Sequence, residues 1–147
     1  MTTVIETETE NKDSQIQINS LGDIEFRRKV SSPAFRLFIS FCNHWGFNES
    51  QRLILLGDLH RQTYLRWKRE GVKTLKRDQL ERISLLLGIH KGLGLLFVDY
   101  DNAKRWLFSL NHDLPFSGIS PSEYLLNGSI KNFYEVRRYL DAWREMK

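Results

Sequence analysis

From Ser32 onward, apolar residues recur at helical spacing, and no stretch shows strand-like alternation. Ser32-Pro33 reads as a helix start, because a serine hydroxyl accepts from orphan N–H groups and proline needs no donor at the first helical position. Ala34, Leu37, Phe38, Phe41, Cys42 and Trp45 then fall on one face, and Gly46 stops the helix. Asn48 caps a second helix that carries the apolar block Leu53 to Leu56 and ends at Gly57. A third, short helix from about His60 to Arg69 sets Tyr64, Leu65 and Trp67 among polar and basic residues, and Gly71 ends it. A fourth runs from about Leu75 to Leu87 with Gly88 as terminator. A fifth covers about Ile89 to Phe97, weakened by Gly92 and Gly94.

The second half continues the period. Ala103, Trp106, Leu107 and Leu110 form an i, i+3, i+4, i+7 stripe behind a cap near Asp99 or Asp101, and Asn111 to Ile119 reads as a loop. Ser120-Pro121-Ser122-Glu123 is a capping box with proline at the first helical position; Asn127-Gly128 closes that short helix. Ser129 opens a last helix with Ile130, Phe133, Val136, Leu140 and Trp143 inward. The predicted fold class is all-α.

Charge divides the chain. Residues 1–25 carry six acids against one base, Lys12, and are too poor in apolar residues to offset the entropy of ordering, so they read as a flexible acidic tail. Arg52 to Lys91 holds ten Lys or Arg against four acids, although the whole chain of 147 residues is only +4. A basic block within a folded region points to a polyanionic partner, against the alternative of a solvated basic face. One cysteine excludes a disulfide framework or a Cys-rich zinc site and suits a reducing compartment. No apolar run reaches the roughly 20 residues that span a bilayer, and the acidic N-terminus is unlike a secretory signal. The expectation is a soluble, cytoplasmic protein without membrane contact.

Two helices joined by a glycine turn, Asn48 to Leu56 and about Arg61 to Arg69, have the size and spacing of a helix-turn-helix. Reading DNA requires a short second helix with base-contacting side chains outside and apolar anchors inside. Arg61, Gln62, Arg66 and Arg69 can face outward while Tyr64, Leu65 and Trp67 pack. Arginine suits guanine and glutamine suits adenine in the major groove; Lys68, Lys73 and Lys76 suit phosphates. With Thr63, these make up the candidate DNA-binding set.

The run Thr63-Tyr64-Leu65-Arg66-Trp67, followed by Leu80 to Leu93, resembles the Xre-like N-terminal domain of RES–Xre antitoxins. The later run Ala103-Lys104-Arg105-Trp106-Leu107, followed by Phe116 to Gly128, resembles the toxin-binding domain of Xre/MbcA/ParS antitoxins, and the two halves come in the family's order. The resemblance implies an Xre-like helix-turn-helix domain over 26–98 and a helical toxin-binding domain over 99–147. It also implies a RES-domain toxin that depletes NAD as partner, neutralised by blocking its active site. Operator DNA bound by a homodimer that represses its own operon is implied as well. Only the C-terminal region carries over, not individual contacts. Within it, Tyr124, Asn127, Arg137, Arg138, Trp143, Arg144 and Lys147 are the candidate toxin-binding residues.

Other readings compete. Trp45, Trp67, Trp106 and Trp143 sit on apolar stripes, so core packing stands against interface anchoring, with Trp106 and Trp143 the readier exceptions. Cys42 and His44 cannot pair as nucleophile and base, because nearby helical positions diverge by about 100° per residue. His112-Asp113 lacks a second ligand cluster, and Gly92 and Gly94 lack the setting of a nucleotide loop. No catalytic, metal or cofactor constellation emerges, so the chain is not expected to be an enzyme. A stand-alone transcription regulator is the alternative. A third reading keeps toxin binding but turns the basic residues of the third helix to protein contacts.

Overall fold

The computed structural model describes residues 21–146, so the tail before Leu21, and Lys147, lie outside the described residues. The described residues form seven helices: α1 Ile24–Trp45, α2 Glu49–Leu55, α3 Arg61–Glu70, α4 Arg77–Leu96, α5 Tyr100–Phe108, α6 Pro121–Leu125 and α7 Ile130–Met146. No strand occurs among the described residues, in agreement with the all-α expectation.

Capping chemistry places most of the boundaries. The Asn48 side chain accepts from the Gln51 N–H at 2.9 Å while the Gln51 side chain accepts from the Asn48 N–H at 2.8 Å, so two orphan donors are satisfied reciprocally. Asp99 caps α5, and Ser120 caps α6 by accepting from the Glu123 N–H at 3.1 Å, with Pro121 at the first helical position. Gly46, left-handed at φ +83°, closes α1.

Three expectations are corrected. Helix α1 does not start at Ser32-Pro33. Asp23 is its cap, and Pro33 lies inside it. Pro33 removes one internal hydrogen bond there. The adjacent buried Ser31 ties this part of α1 to the chain entering α4: its hydroxyl donates to the Arg27 carbonyl and accepts the Leu75 N–H at 2.7 Å. The buried face of α1 is Ser31, Phe35, Phe38, Phe41, Cys42 and Trp45, which turns Leu37 outward. Second, α4 runs unbroken through Gly88. Gly88 and Gly92 face α7: a Cβ built on Gly88 would lie 2.5 Å from Arg137 Nη1, and one on Gly92 would lie 3.4 Å from the Leu140 Cβ. These glycines mark close approach rather than helix ends. Third, Leu110 lies beyond the end of α5 and is 65% exposed, because Ser109 leaves the helix in extended geometry.

Helix α4 packs against α1 on one side and α7 on the other. The buried apolar residues form one cluster reaching from Leu21 to Leu140. Between α5 and α6 the chain folds back on itself: the Asn111 N–H donates to the Ile119 carbonyl at 3.1 Å and the Gly118 N–H to the Asn111 carbonyl at 2.8 Å. Phe116 is buried beneath this loop.

Gly94 is the exposed glycine of α4, with open space where a Cβ would be. Gly94→Ala is expected to stabilise the fold by about 0.5–1 kcal/mol through helix propensity and a less flexible unfolded chain. Urea denaturation measures it, and an unchanged or lowered midpoint would contradict the open environment.

Candidate nucleic-acid interface

The α2–α3 unit is built from the inside. Leu55 and Leu56 bury the end of α2; Gly57 (φ +86°) and Asp58 (φ +59°) turn the chain through two left-handed residues. His60 caps α3 by accepting from the Gln62 N–H at 3.2 Å. Within α3, Tyr64 is buried with its ring edge-on to Phe35 at 6.1 Å, and Trp67 meets the same ring edge-on at 5.6 Å. Arg52 pins the unit to its surroundings: its guanidinium donates to the Phe47 carbonyl at 2.8 Å, to Asn43 Oδ1 at 2.8 Å and to the Tyr64 hydroxyl at 3.2 Å. Two cations of the basic block, Arg52 and Arg82, thus face inward as structural groups.

The others face out. Gln62, Arg66 and Arg69, at i, i+4 and i+7, form an exposed line on the side of α3 away from Tyr64. Arg61 and Lys68 flank that line, Arg61 paired with Glu49 at 3.0 Å and Lys68 placed 5.6 Å from the centre of the Tyr64 ring. Arg69 meets Glu70 at 3.3 Å, an exposed pair that a phosphate can displace at little cost. Arg66 has no ion pair among the described residues. Thr63 is half-buried, which leaves it the least accessible member of the set. Lys73 and Lys76 are exposed on the segment from α3 to α4, which is anchored by buried Val72 and Leu75. Seven of the eight expected side chains are therefore exposed on one helix and the segment that follows it.

The candidate toxin-binding residues fall into two groups and separate exposed positions: Arg137 and Arg144 meet at Asp141, and Tyr124 and Trp143 belong to one ring cluster joined through Phe116 and Tyr139. Arg137 and Arg144 share Asp141, at 3.9 Å and 2.6 Å, and Arg137 crosses α4 at Gly88, where it borders a groove of about 480 Å³ lined by Phe26, Leu37, Leu80 and Lys91. Tyr124 lies elsewhere: its hydroxyl donates to Glu135, and burial with this carboxylate pushes its pKa up to about 12. Trp143 belongs to a ring cluster with Phe97, Trp106 and Tyr139 at 5.5, 6.1 and 6.2 Å. Asn127 and Arg138 are exposed, Asn127 at the α6–α7 corner. Lys147 lies outside the described residues.

Sequence reasoning missed Tyr139, whose hydroxyl donates to Asp113 Oδ2 at 2.7 Å and so fastens α7 to the loop before α6. It also missed the apolar surface of that loop, where Leu110 and Leu114 stand 65% and 80% exposed. Leu110 counted as an inward helix position, and no local signal distinguishes it from one.

The excluded chemistries can be located. Cys42 is buried, and the loss of hydration pushes its thiol up to about 12, well away from thiolate reactivity at neutral pH. His44 is exposed, as expected. Among the described residues no three His, Cys, Asp or Glu side chains are grouped to hold a metal. No helix of the described residues is long and apolar enough to cross a membrane.

Residues 27–88 match the family described as the antitoxin Xre-like helix-turn-helix domain, a span from the first turns of α1 to the middle of α4. A protein from Sinorhizobium fredii (strain NBRC 101917 / NGR234), described as uncharacterized protein y4oB, is 36% identical over 107 residues, covering 73% of this chain and 81% of its own. Residues 27–88 thus form a domain of the antitoxin Xre-like helix-turn-helix family. The exposed line Gln62–Arg66–Arg69 on α3 lies within that matched span.

One further feature of the protein is titratable. His90 Nδ1 accepts from the Trp45 indole N–H at 3.0 Å, and its ring lies 5.1 Å from His44 and 6.3 Å from Phe41. Burial first, then the His44 charge, lowers its pKa below 6.5. The folded state therefore binds fewer protons than the unfolded one. This contribution to stability is intact above the unfolded value and declines as pH falls below it. Acidification from about pH 7.5 to about pH 5.5 is expected to lower the urea midpoint, and His90→Gln to reduce that drop. Identical drops in both proteins would remove His90 as the cause.

Proposed function

We propose that this protein is an antitoxin that neutralises a cognate RES-domain, NAD-depleting toxin through residues 99–147, by covering the toxin's active site. In this reading residues 26–98 form the DNA-binding part, and the protein represses its own operon as a cytoplasmic homodimer without enzymatic activity. The observation that carries the DNA side is the exposed line Gln62, Arg66 and Arg69 on the second helix of a matched antitoxin helix-turn-helix. Its side chains offer paired donors for guanine and an amide for adenine, and Lys68, Lys73 and Lys76 supply phosphate contacts at its margins. Two copies would present two such helices, and the two-fold symmetry would require a pseudopalindromic operator.

The toxin side is supported by the resemblance of Ala103–Leu107 and Phe116–Gly128 to a toxin-binding domain. The exposed Leu110 and Leu114, held on a hydrogen-bonded loop, add to that support. A loop already ordered loses less entropy on binding, and apolar side chains presented to water gain most from being covered.

Arg66→Ala is expected to weaken binding to a duplex from upstream of the protein's own gene by about 1–3 kcal/mol while leaving toxin neutralisation intact. Wild-type binding should weaken with salt at a log–log slope of about −0.9 per phosphate contacted. Unchanged affinity in the variant would remove Arg66 from the interface.

Affinity purification from the native host followed by mass spectrometry tests the partner. A RES-domain protein at comparable abundance is the expected result. Recovery with DNA alone would favour a stand-alone regulator. Given the partner, Leu110→Ser with Leu114→Ser should weaken neutralisation by about tenfold or more, since each buried leucine contributes roughly 1.5–3 kcal/mol. Full neutralisation by that double variant would shift the grip to the flank bearing Arg137 and Arg144.

A further inference from the structure

Arg82 belongs to α4 and lies within the matched span 27–88, yet two of its partners lie far beyond it. Its Nε donates to Asp78 Oδ2 at 2.7 Å, one turn back on the same helix. Its Nη1 donates to the Gly128 carbonyl at 2.7 Å, at the α6–α7 corner. The guanidinium carbon stands 5.4 Å from the centre of the Phe133 ring on α7. The residue is 8% exposed.

The helix-turn-helix rests on the same group. A Cβ built on Gly57, the first residue of the α2–α3 turn, would lie 3.1 Å from Arg82 Nε and 3.3 Å from its Cζ. The Gly57 N–H donates to the Ile54 carbonyl at 2.9 Å. Ile54 also meets the corner: a Cβ on Gly128, left-handed at φ +89°, would lie 3.4 Å from Ile54 Cγ2. The end of α2 with its turn, the body of α4 and the α6–α7 corner thus converge on one guanidinium.

A guanidinium is a rigid planar fork that stays charged, and once buried it loses heavily if an acceptor is withdrawn. Asp78 from its own helix and Gly128 from the corner fix that plane, and the backbone of the α2–α3 turn lies against it. The turn sets where α3 begins. A helix that discriminates base pairs must hold its side chains to within about 0.5 Å.

We propose that Arg82 is a positioning residue for the DNA-reading helix and that the Gly128 carbonyl is part of its seat, so that sequence discrimination by α3 depends on the C-terminal half of the chain. The inference rests on the reading of α3 as the DNA-contacting helix. The corner residues 127–129 lie outside the matched helix-turn-helix and touch no base in this scheme. They act through Arg82 and Ile54.

The test uses the full chain and two labelled duplexes: one from upstream of its own gene, and one of the same length and composition with shuffled sequence. Arg82→Lys keeps the charge but cannot reach both acceptors. Gly128→Ala keeps every cation and disturbs the corner against Ile54. Each variant is expected to lose about tenfold of the preference for the native duplex, with affinity for the shuffled duplex and the salt slope unchanged. The double variant should lose no more than the stronger single one, because both changes act through one contact. Circular dichroism melts set the assay temperature below the midpoint of every variant. Preference retained in both variants, equal losses on the two duplexes, or losses that add would overturn the proposal. Wild-type protein that fails to distinguish the duplexes would instead overturn the DNA-binding reading itself.

Discussion

The structure depends on the burial of α4. Ile83, Leu86, Ile89 and Leu93 are almost fully covered, and Leu80, Leu85 and Leu96 nearly so; these positions take up most of the helix circumference. A helix that is apolar on more than one face must be covered on more than one side. Here α1 covers one side and α7 the other. Gly88 and Gly92 let α7 come close, and the guanidinium of Arg137 and the side chain of Leu140 fill the space that larger residues on α4 would have taken. Packing therefore continues across residue 98: Phe97 meets Trp106 and Trp143, and Gly92 meets Leu140. The proposed division at that point is one of partners rather than of cores.

With α4 fixed, the cations sort by what surrounds them. Arg52 and Arg82 donate to backbone carbonyls and to carboxamide or carboxylate oxygens, and Arg82 uses the fork of the guanidinium to join α4 to the α6–α7 corner. Lysine, a single rotatable ammonium, could not make both bonds at once. Gln62, Arg66 and Arg69 have no such acceptors within reach on the inner side, because Tyr64 and Trp67 occupy it. They are exposed, with Arg69 meeting the exposed Glu70. The same composition of positive charge thus serves as cement in one place and as an exposed face in another.

That distinction also sets what was legible in the sequence. Local chemistry was readable: the Asn48 cap, the Ser120-Pro121 start, the Gly46 and Gly71 stops, and the outward line of α3, which needs only helical period and the anchor Tyr64. Features decided by distant partners were not. Gly88 looks like a terminator until α7 is placed against it. Ser32-Pro33 looks like a start because the true cap, Asp23, sits at the edge of an acidic, weakly apolar stretch. Leu110 continues a stripe by spacing, although the helix has already ended. Which flank of α7 each candidate toxin contact occupies was hidden for the same reason, since positions that are close in sequence point to opposite sides. Arg137 leans over α4, whereas Tyr139 reaches the loop at Asp113.

The ring cluster of the second half shows how a short segment can present a rigid surface. Residues 99–146 bury Leu107, Leu125, Val136 and Leu140 beside a set of rings in which Phe116 touches Trp106, Tyr124 and Tyr139 at 5.9, 5.5 and 5.1 Å. Aromatic rings contribute large contact areas for few rotatable bonds, so they order a loop at modest entropic cost. The Tyr139–Asp113 bond then holds the loop from α7, and the loop's own backbone bonds satisfy donors that would otherwise need water. What this arrangement leaves unsatisfied is hydrophobic rather than polar: Leu110 and Leu114 extend from an ordered support and stay largely exposed. A surface of this kind gains from an apolar protein partner and gains nothing from a phosphate backbone. The cationic face of α3 has the opposite preference, and the two surfaces therefore select different classes of partner by solvation alone.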